Sequence, residues 1–322
     1  MTNEPDPLTL SANRGVRLVA LDRLEAADGP ADRLVSKPDD LDALHDFRVA
    51  LRRVRSWLRA FRPELADSVS GKDRQRLRAL VDATNRGRDA DVQIEWLEKA
   101  SRHGNGSRKR GAERLIDQIR IERRHRGASL NGDNLEVYVK ERSRLARRLS
   151  TVKEPVRTQS PPPPTLAGTI GSRLPAHIDA LENSLRAIRT AEDEAEAHAA
   201  RIAAKRLRYL LEPAAHVRGC KSLLRQLKTL QDELGELHDA HVLGHRLRTA
   251  LNEFEGPDQV GVRVINERLA GDRGTIFHRI ERRWLTDDAA LAEFRHKTGL
   301  LAERLNRISE EACADLPTGQ RR

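Results

Sequence analysis

Along most of this chain apolar side chains return every three or four residues with polar ones between them, and runs of strict apolar–polar alternation are missing. That spacing is the helical period, and the residues that fill it, Ala, Leu, Arg and Glu, are good helix formers. The pattern predicts helices over about 10–27, 40–62, 72–86, 89–102, 107–126 and 133–150, then 166–190, 194–216, 219–236, 239–254, 260–283 and 288–312. Breaks are expected at Asp28-Gly29-Pro30, Pro63, Gly104-Asn105-Gly106, Asn131-Gly132, Pro213 and Gly256-Pro257, where turn residues cluster. Pro213 stands inside a continuing apolar pattern and is read as a kink rather than an end. The stretch from Glu154-Pro155 to Pro161-Pro162-Pro163-Pro164 cannot continue a helix and favours an extended spacer. The chain is therefore expected to be all-α: a first helical bundle over 1–153, a proline-rich linker over 154–165, a second bundle over 166–316 and a disordered tail over 317–322.

One helical segment is stated twice. His45-Asp46-Phe47-Arg48-Val49-Ala50-Leu51-Arg52-Arg53-Val54-Arg55 returns as His198-Ala199-Ala200-Arg201-Ile202-Ala203-Ala204-Lys205-Arg206-Leu207-Arg208, position 45 matching 198. At about 100° per residue, His45, Arg48, Arg52, Arg55 and Arg59 fall on one ridge about 80° wide. Phe47, Leu51, Val54, Leu58 and Phe61 form a separate apolar stripe of the kind that faces a core. His198, Arg201, Lys205 and Arg208 repeat the ridge, and Ala200, Ala204, Leu207 and Leu211 repeat the stripe. Arg53 and Arg206 lie off the ridge and rank second. Glu212 stands where Arg59 stands in the first copy.

A run of charge on a helix is ordinarily a solvated face, but such faces mix signs so that acids and bases pair one turn apart. The first ridge has no acid among its five members, and its cations repel one another unless an anion covers them. A second correspondence extends the duplication. Leu77-Arg78-Ala79-Leu80 through Arg88-Asp89-Ala90-Asp91-Val92 parallels Leu227-Lys228-Thr229-Leu230 through His238-Asp239-Ala240-His241-Val242. Arg78 and Lys228 coincide and join the candidate basic surface, while Asp89 and Asp239 are read as N-caps of the helices that follow.

Composition sharpens the picture. Of 322 residues, 34% are charged and 3% aromatic, with a formal net charge of +10. Arginine outnumbers lysine 49 to 10, and guanidinium groups grip phosphate through two parallel hydrogen bonds. This balance points to a polyanionic partner. Cys220 and Cys313 fit no metal spacing and suggest no disulfide framework. The segment Met1–Leu10 is acidic and interrupted by proline, unlike a targeting peptide, and no apolar run approaches a membrane span. A cytoplasmic protein without a membrane partner or cofactor is expected.

The repeated His45-x-x-Arg48-Val49-x-x-Arg52-Arg53-x-Arg55 and His198-x-x-Arg201-Ile202-x-x-Lys205-Arg206-Leu207-Arg208-Tyr209, with Leu230-Gln231-Asp232-x-Leu234-Gly235, resemble the CHAD family, the conserved histidine α-helical domain. The resemblance covers about residues 8 to 315. It implies two helical bundles related by pseudo-twofold symmetry around a central basic cleft or pore, and binding of inorganic polyphosphate rather than catalysis. Ala83-Thr84-Asn85-Arg86-Gly87-Arg88 departs from the family's turn at that point. The ligand set expected is His45, Arg48, Arg52, Arg55, Arg59 and Arg78 with His198, Arg201, Lys205, Arg208 and Lys228, the two ridges facing each other across a strip of phosphates. Association with polyphosphate granules is a further expectation.

Nucleic acid is the alternative anion, but single-strand binders supply stacking aromatics, and this chain has three Trp, two Tyr and five Phe. A metal-dependent phosphohydrolase is a third reading, prompted by His45-Asp46, His238-Asp239 and Asp89-x-Asp91. Such a site needs carboxylates and neutral histidines converging on one ion. The two ridge histidines have a plain alternative role, in helix packing.

Overall fold

A computed structural model of the chain describes residues 5–85, 88–102, 104, 106–125, 132–151, 163–286 and 288–314. It comprises α1 (Ala12–Glu25), α2 (Asp28–Ser36), α3 (Leu41–Ala60), α4 (Gly71–Asn85), α5 (Arg88–Ser101), α6 (Gly106–His125) and α7 (Gly132–Ser150), followed by α8 (Leu166–Arg186), α9 (Glu194–Leu211), α10 (Cys220–Glu253), α11 (Gly256–Ile280) and α12 (Asp288–Ala314). Among the described residues the only β-type contact is one bridge, between Ser11 and Thr165. The linker expected at 154–165 lies outside the described residues up to Pro162, as does the tail from 317.

Three local readings are corrected. A short helix, α2, forms across Asp28-Gly29-Pro30, because a proline in the first turn gives up only an N–H that has no helical acceptor there. Ala31 and Leu34 bury its inner side. At the other end, α9 stops at Leu211 and passes into a 3-10 turn, Glu212–Ala214, so Pro213 ends the helix instead of kinking it. The segments expected over 219–236 and 239–254 are a single 34-residue helix, α10. Asp239 is therefore interior and caps nothing. Asp89 is the second residue of α5; its side chain lies outside the described residues.

Neither hydrophobic core is confined to one half of the sequence. The larger joins α1–α4 and α7 with α8, α9, the first part of α10 and α12, around Phe47, Trp57, Leu174, Leu207, Leu230 and Leu301. The smaller is built by Leu97, Ala112, Leu115, Ile116 and Ile119 of α5 and α6 against Leu243, Leu247, Phe254, Val262 and Ile265 of α10, α11 and their connection. The α5–α6 pair thus packs on the α10–α11 pair.

The α6–α11 crossing is close because two glycines meet it. A Cβ on Gly111 would lie 2.8 Å from the Asp258 carbonyl oxygen, and one on Gly261 would overlap the Ser107 carbonyl more severely. Both obstacles are backbone and cannot swing aside. Gly261→Ala should destabilise the protein by about 1–3 kcal/mol, the range for overpacking, even though alanine favours a helix. Urea unfolding followed by circular dichroism checks this; a midpoint equal to the parent's would show that the helices separate freely.

Candidate anion-binding surface

Both ridge helices are held by their apolar stripes. Asp40 caps α3 by accepting a 2.8 Å hydrogen bond from the Ala43 amide. Phe47, Leu51, Val54, Leu58 and Phe61 are buried where the helical period places them. Trp57 joins them and donates its indole N–H to the Val16 carbonyl at 2.9 Å. In α9 Ala200, Ala204, Leu207 and Leu211 are likewise buried, together with Ala197, Ala203 and Leu210. The opposite edges then match in exposure. His45 and His198 are exposed, Arg52 and Lys205 half-buried, and Arg55 and Arg208 half-buried. Arg48 is deeper than its counterpart Arg201, at 6% exposure.

The two helices touch each other near their C-terminal ends. Arg53 Nε on α3 lies 3.7 Å from Glu212 Oε1, just past α9. Six residues further along, Arg59 lies close enough to Arg206, six residues back from Glu212, to repel its charge. One index rises as the other falls, which is how antiparallel helices meet. His45 and His198 therefore sit farthest from the contact, in opposite directions. At about 1.5 Å per residue each is roughly 16 Å along its own axis from the midpoint.

A buried guanidinium fastens this contact. Arg23 of α1 donates to the Arg53 and Tyr209 carbonyls, each at 3.3 Å, and pairs with Glu212 Oε2 at 3.1 Å. It lies over the Trp57 ring, 4.4 Å from the centroid. Pro213 has no N–H to offer the Tyr209 carbonyl, so that acceptor is available to Arg23. Burial pulls the Arg23 guanidinium down to about 10 while Glu212 holds it up, and the group stays charged at neutral pH. Glu212 also lies 3.5 Å from Arg208. Arg208 in turn donates to Gln231 of α10 at 3.0 Å, and Gln231 donates to the Ala204 carbonyl.

An acid from a neighbouring helix borders the first ridge, which periodicity within one helix could not show. Asp82 of α4 lies 3.9 Å from Arg55 and 3.4 Å from Arg78. The duplicate position, Asp232 of α10, pairs with Lys228 at 2.7 Å. Arg78 and Lys228 are thus exposed members of equivalent one-turn ion pairs.

Beyond His198 the second ridge runs into a histidine patch that the sequence reading did not assemble. The His198 and His238 rings meet at a tilt of 43°, with centroids 5.2 Å apart. His241, one turn on along α10, is 3% exposed and donates Nε2–H to the Ala191 carbonyl at 2.7 Å. His245 meets Glu194 at 2.6 Å through Nε2, and its Nδ1 accepts from Arg248 at 2.8 Å. Burial would raise the Glu194 carboxyl, but the His245 hydrogen bond and the nearby histidines bring it below its ordinary range. The i, i+3, i+7 spacing of His238, His241 and His245 was the available signal. No group of three or more His, Cys, Asp or Glu among the described residues is arranged to hold a metal ion. Among the same residues no helix is long and apolar enough to cross a membrane.

Comparison with curated proteins finds no match. Among solved structures the chain resembles the crystal structure of the CHAD domain from the plant Ricinus communis. The TM-score is 0.59 at 19% identity, over 90% of this chain and 92% of that one. At that identity the likeness speaks for the fold alone. The CHAD domain family itself matches residues 19–248, the greater part of the chain, including both copies of the basic helix and the histidine patch. The chain belongs to the CHAD domain family.

Proposed function

We propose that this CHAD protein binds inorganic polyphosphate along the α3–α9 surface and performs no chemistry on it. The observation that carries the reading is the same cationic helix edge presented twice, on two helices that pack together. A flexible polyanion without bases can be recognised by charge and spacing alone. Arg48, Arg52, Arg55 and Arg59 would bind phosphates along one arm, and Arg201, Lys205 and Arg208 along the other. His45 and His198 would stand at the far ends. Arg78 and Lys228 would contribute by exchanging their carboxylate partners for phosphate. A pseudo-twofold arrangement of the two halves around a basic cleft accounts for the pairing of duplicated positions at the α3–α9 contact. Cytoplasmic granules rich in polyphosphate are the location this reading implies.

Each bidentate Arg–phosphate contact contributes about 1.5–3 kcal/mol before cation repulsion is subtracted. Replacing one cation in each arm, Arg52→Glu with Lys205→Glu, should weaken binding of long-chain polyphosphate by about 100-fold or more. Helix content should be unchanged, because both positions lie away from the buried stripe. Calorimetric titration at two salt concentrations decides it. Affinity that survives the double substitution, or that ignores salt, would count against the surface. Equal competition by single-stranded DNA at the same phosphate concentration would favour the nucleic-acid reading instead.

The pair of exposed His198 and half-buried His238 adds a pH signature. Imidazoles ordinarily gain their proton between about pH 7 and 6, and a bound phosphate stabilises the charged form. Affinity should therefore rise as pH falls through that interval. The rise should shrink in His198→Gln with His238→Gln. A pH profile identical in that variant would assign the pair to helix packing.

A further inference from the structure

The duplication makes a comparison that neither helix makes alone. Arg53 corresponds to Arg206, and Arg59 to Glu212. On one side of the α3–α9 contact, Arg53 finds Glu212, whose carboxylate also serves Arg23 and Arg208. On the other side, the equivalent pair is Arg206 with Arg59. No carboxylate replaces the missing one: among the described residues neither Arg59 nor Arg206 forms an ion pair. Both side chains reach solvent. Burial lowers the proton affinity of Arg206, and the charge of Arg59 lowers it further. The same backbone arrangement thus carries a neutralised position and a doubly cationic one.

We propose that the α3–α9 contact contains two equivalent anion positions, one filled internally by the Glu212 carboxylate and one, between Arg59 and Arg206, that takes a phosphate group from solution. A phosphate matches the place. Its several oxygens can accept from two guanidinium groups at once, and its charge turns a repulsive helix contact into an attractive one. The group could be a free phosphate or the end of a polyphosphate chain; only the second source rests on the function proposed above. With Glu212 closing one end and Arg59 with Arg206 opening the other, the surface is polar, and a chain end would seat on the α3 C-terminal side.

The test uses the full chain, pyrophosphate as the short probe and a size-defined polyphosphate as the long one. Calorimetry should find one pyrophosphate per chain, and pyrophosphate should raise the melting temperature. Arg206→Gln should weaken pyrophosphate about tenfold by removing one charge-assisted contact. Arg59→Glu, which rebuilds on this side the pairing of Arg53 with Glu212, should melt at or above the parent without ligand and gain nothing from pyrophosphate. Pyrophosphate stabilisation of Arg59→Glu equal to the parent's, or no pyrophosphate binding by the parent, would overturn the proposal. Competition between pyrophosphate and polyphosphate in the parent, lost in Arg59→Glu, would identify the chain end as the source. Pyrophosphate binding without that competition would identify free phosphate. Should the parent bind pyrophosphate here but no polyphosphate at all, the polyphosphate reading would fall and this site would stand.

Discussion

Two helices that each carry a row of cations can be packed against one another only if their charge is dealt with where they touch. Here one carboxylate does most of that. Glu212 faces Arg23, Arg53 and Arg208 at 3.1 to 3.7 Å, and Arg23 is buried between the helices with two backbone carbonyls and an indole face completing its surroundings. A buried ion pair of this kind is weak evidence for net stability, since desolvation consumes much of the attraction. Its contribution is positional. Removing Glu212 strands the Arg23 charge in the core, whereas without Arg23 the carboxylate still has Arg53 and Arg208.

That constraint separates the cations into two populations. Arg23 of this contact, and Arg173 with Glu64 against Phe61, are structural: their partners are carboxylates, carbonyls and rings of the protein itself. The ridge residues on α3 and α9, buried Arg48 excepted, are held toward the surface by apolar stripes on the opposite sides of their helices. Asp82 of α4 borders the first ridge at Arg55, 3.9 Å away. A net charge of +10 supplies the long-range attraction.

The histidine patch adds a different kind of group to the far end of the second arm. His241 is committed to the Ala191 carbonyl, and His245 is held between Glu194 and Arg248, whereas His198 remains exposed. The first arm ends in His45 with no such neighbours recorded on α4 or α5 in the sequence. Duplication therefore produced two arms of similar length and unlike ends, and departures such as Glu212 for Arg59 are where the copies acquired distinct chemistry.

The sequence by itself determined that the chain is helical, where most helices lie, and which edge of α3 and of α9 carries the cations, because helical periodicity is local and needs no tertiary information. It also showed the duplication, since repeated residues are visible without a fold. It misjudged Pro30, Pro213 and the continuity of α10, where the position of a residue within a turn and the burial of Leu230, Leu234 and Leu237 on one continuous face outweigh local turn signals. Only the tertiary structure decided that the halves share their cores, that α3 and α9 meet antiparallel near their C-terminal ends, and that Arg23 and Glu212 hold them there. Those partners stand 189 positions apart. Their meeting is set by how apolar faces pack across the whole chain, which no short window of sequence contains.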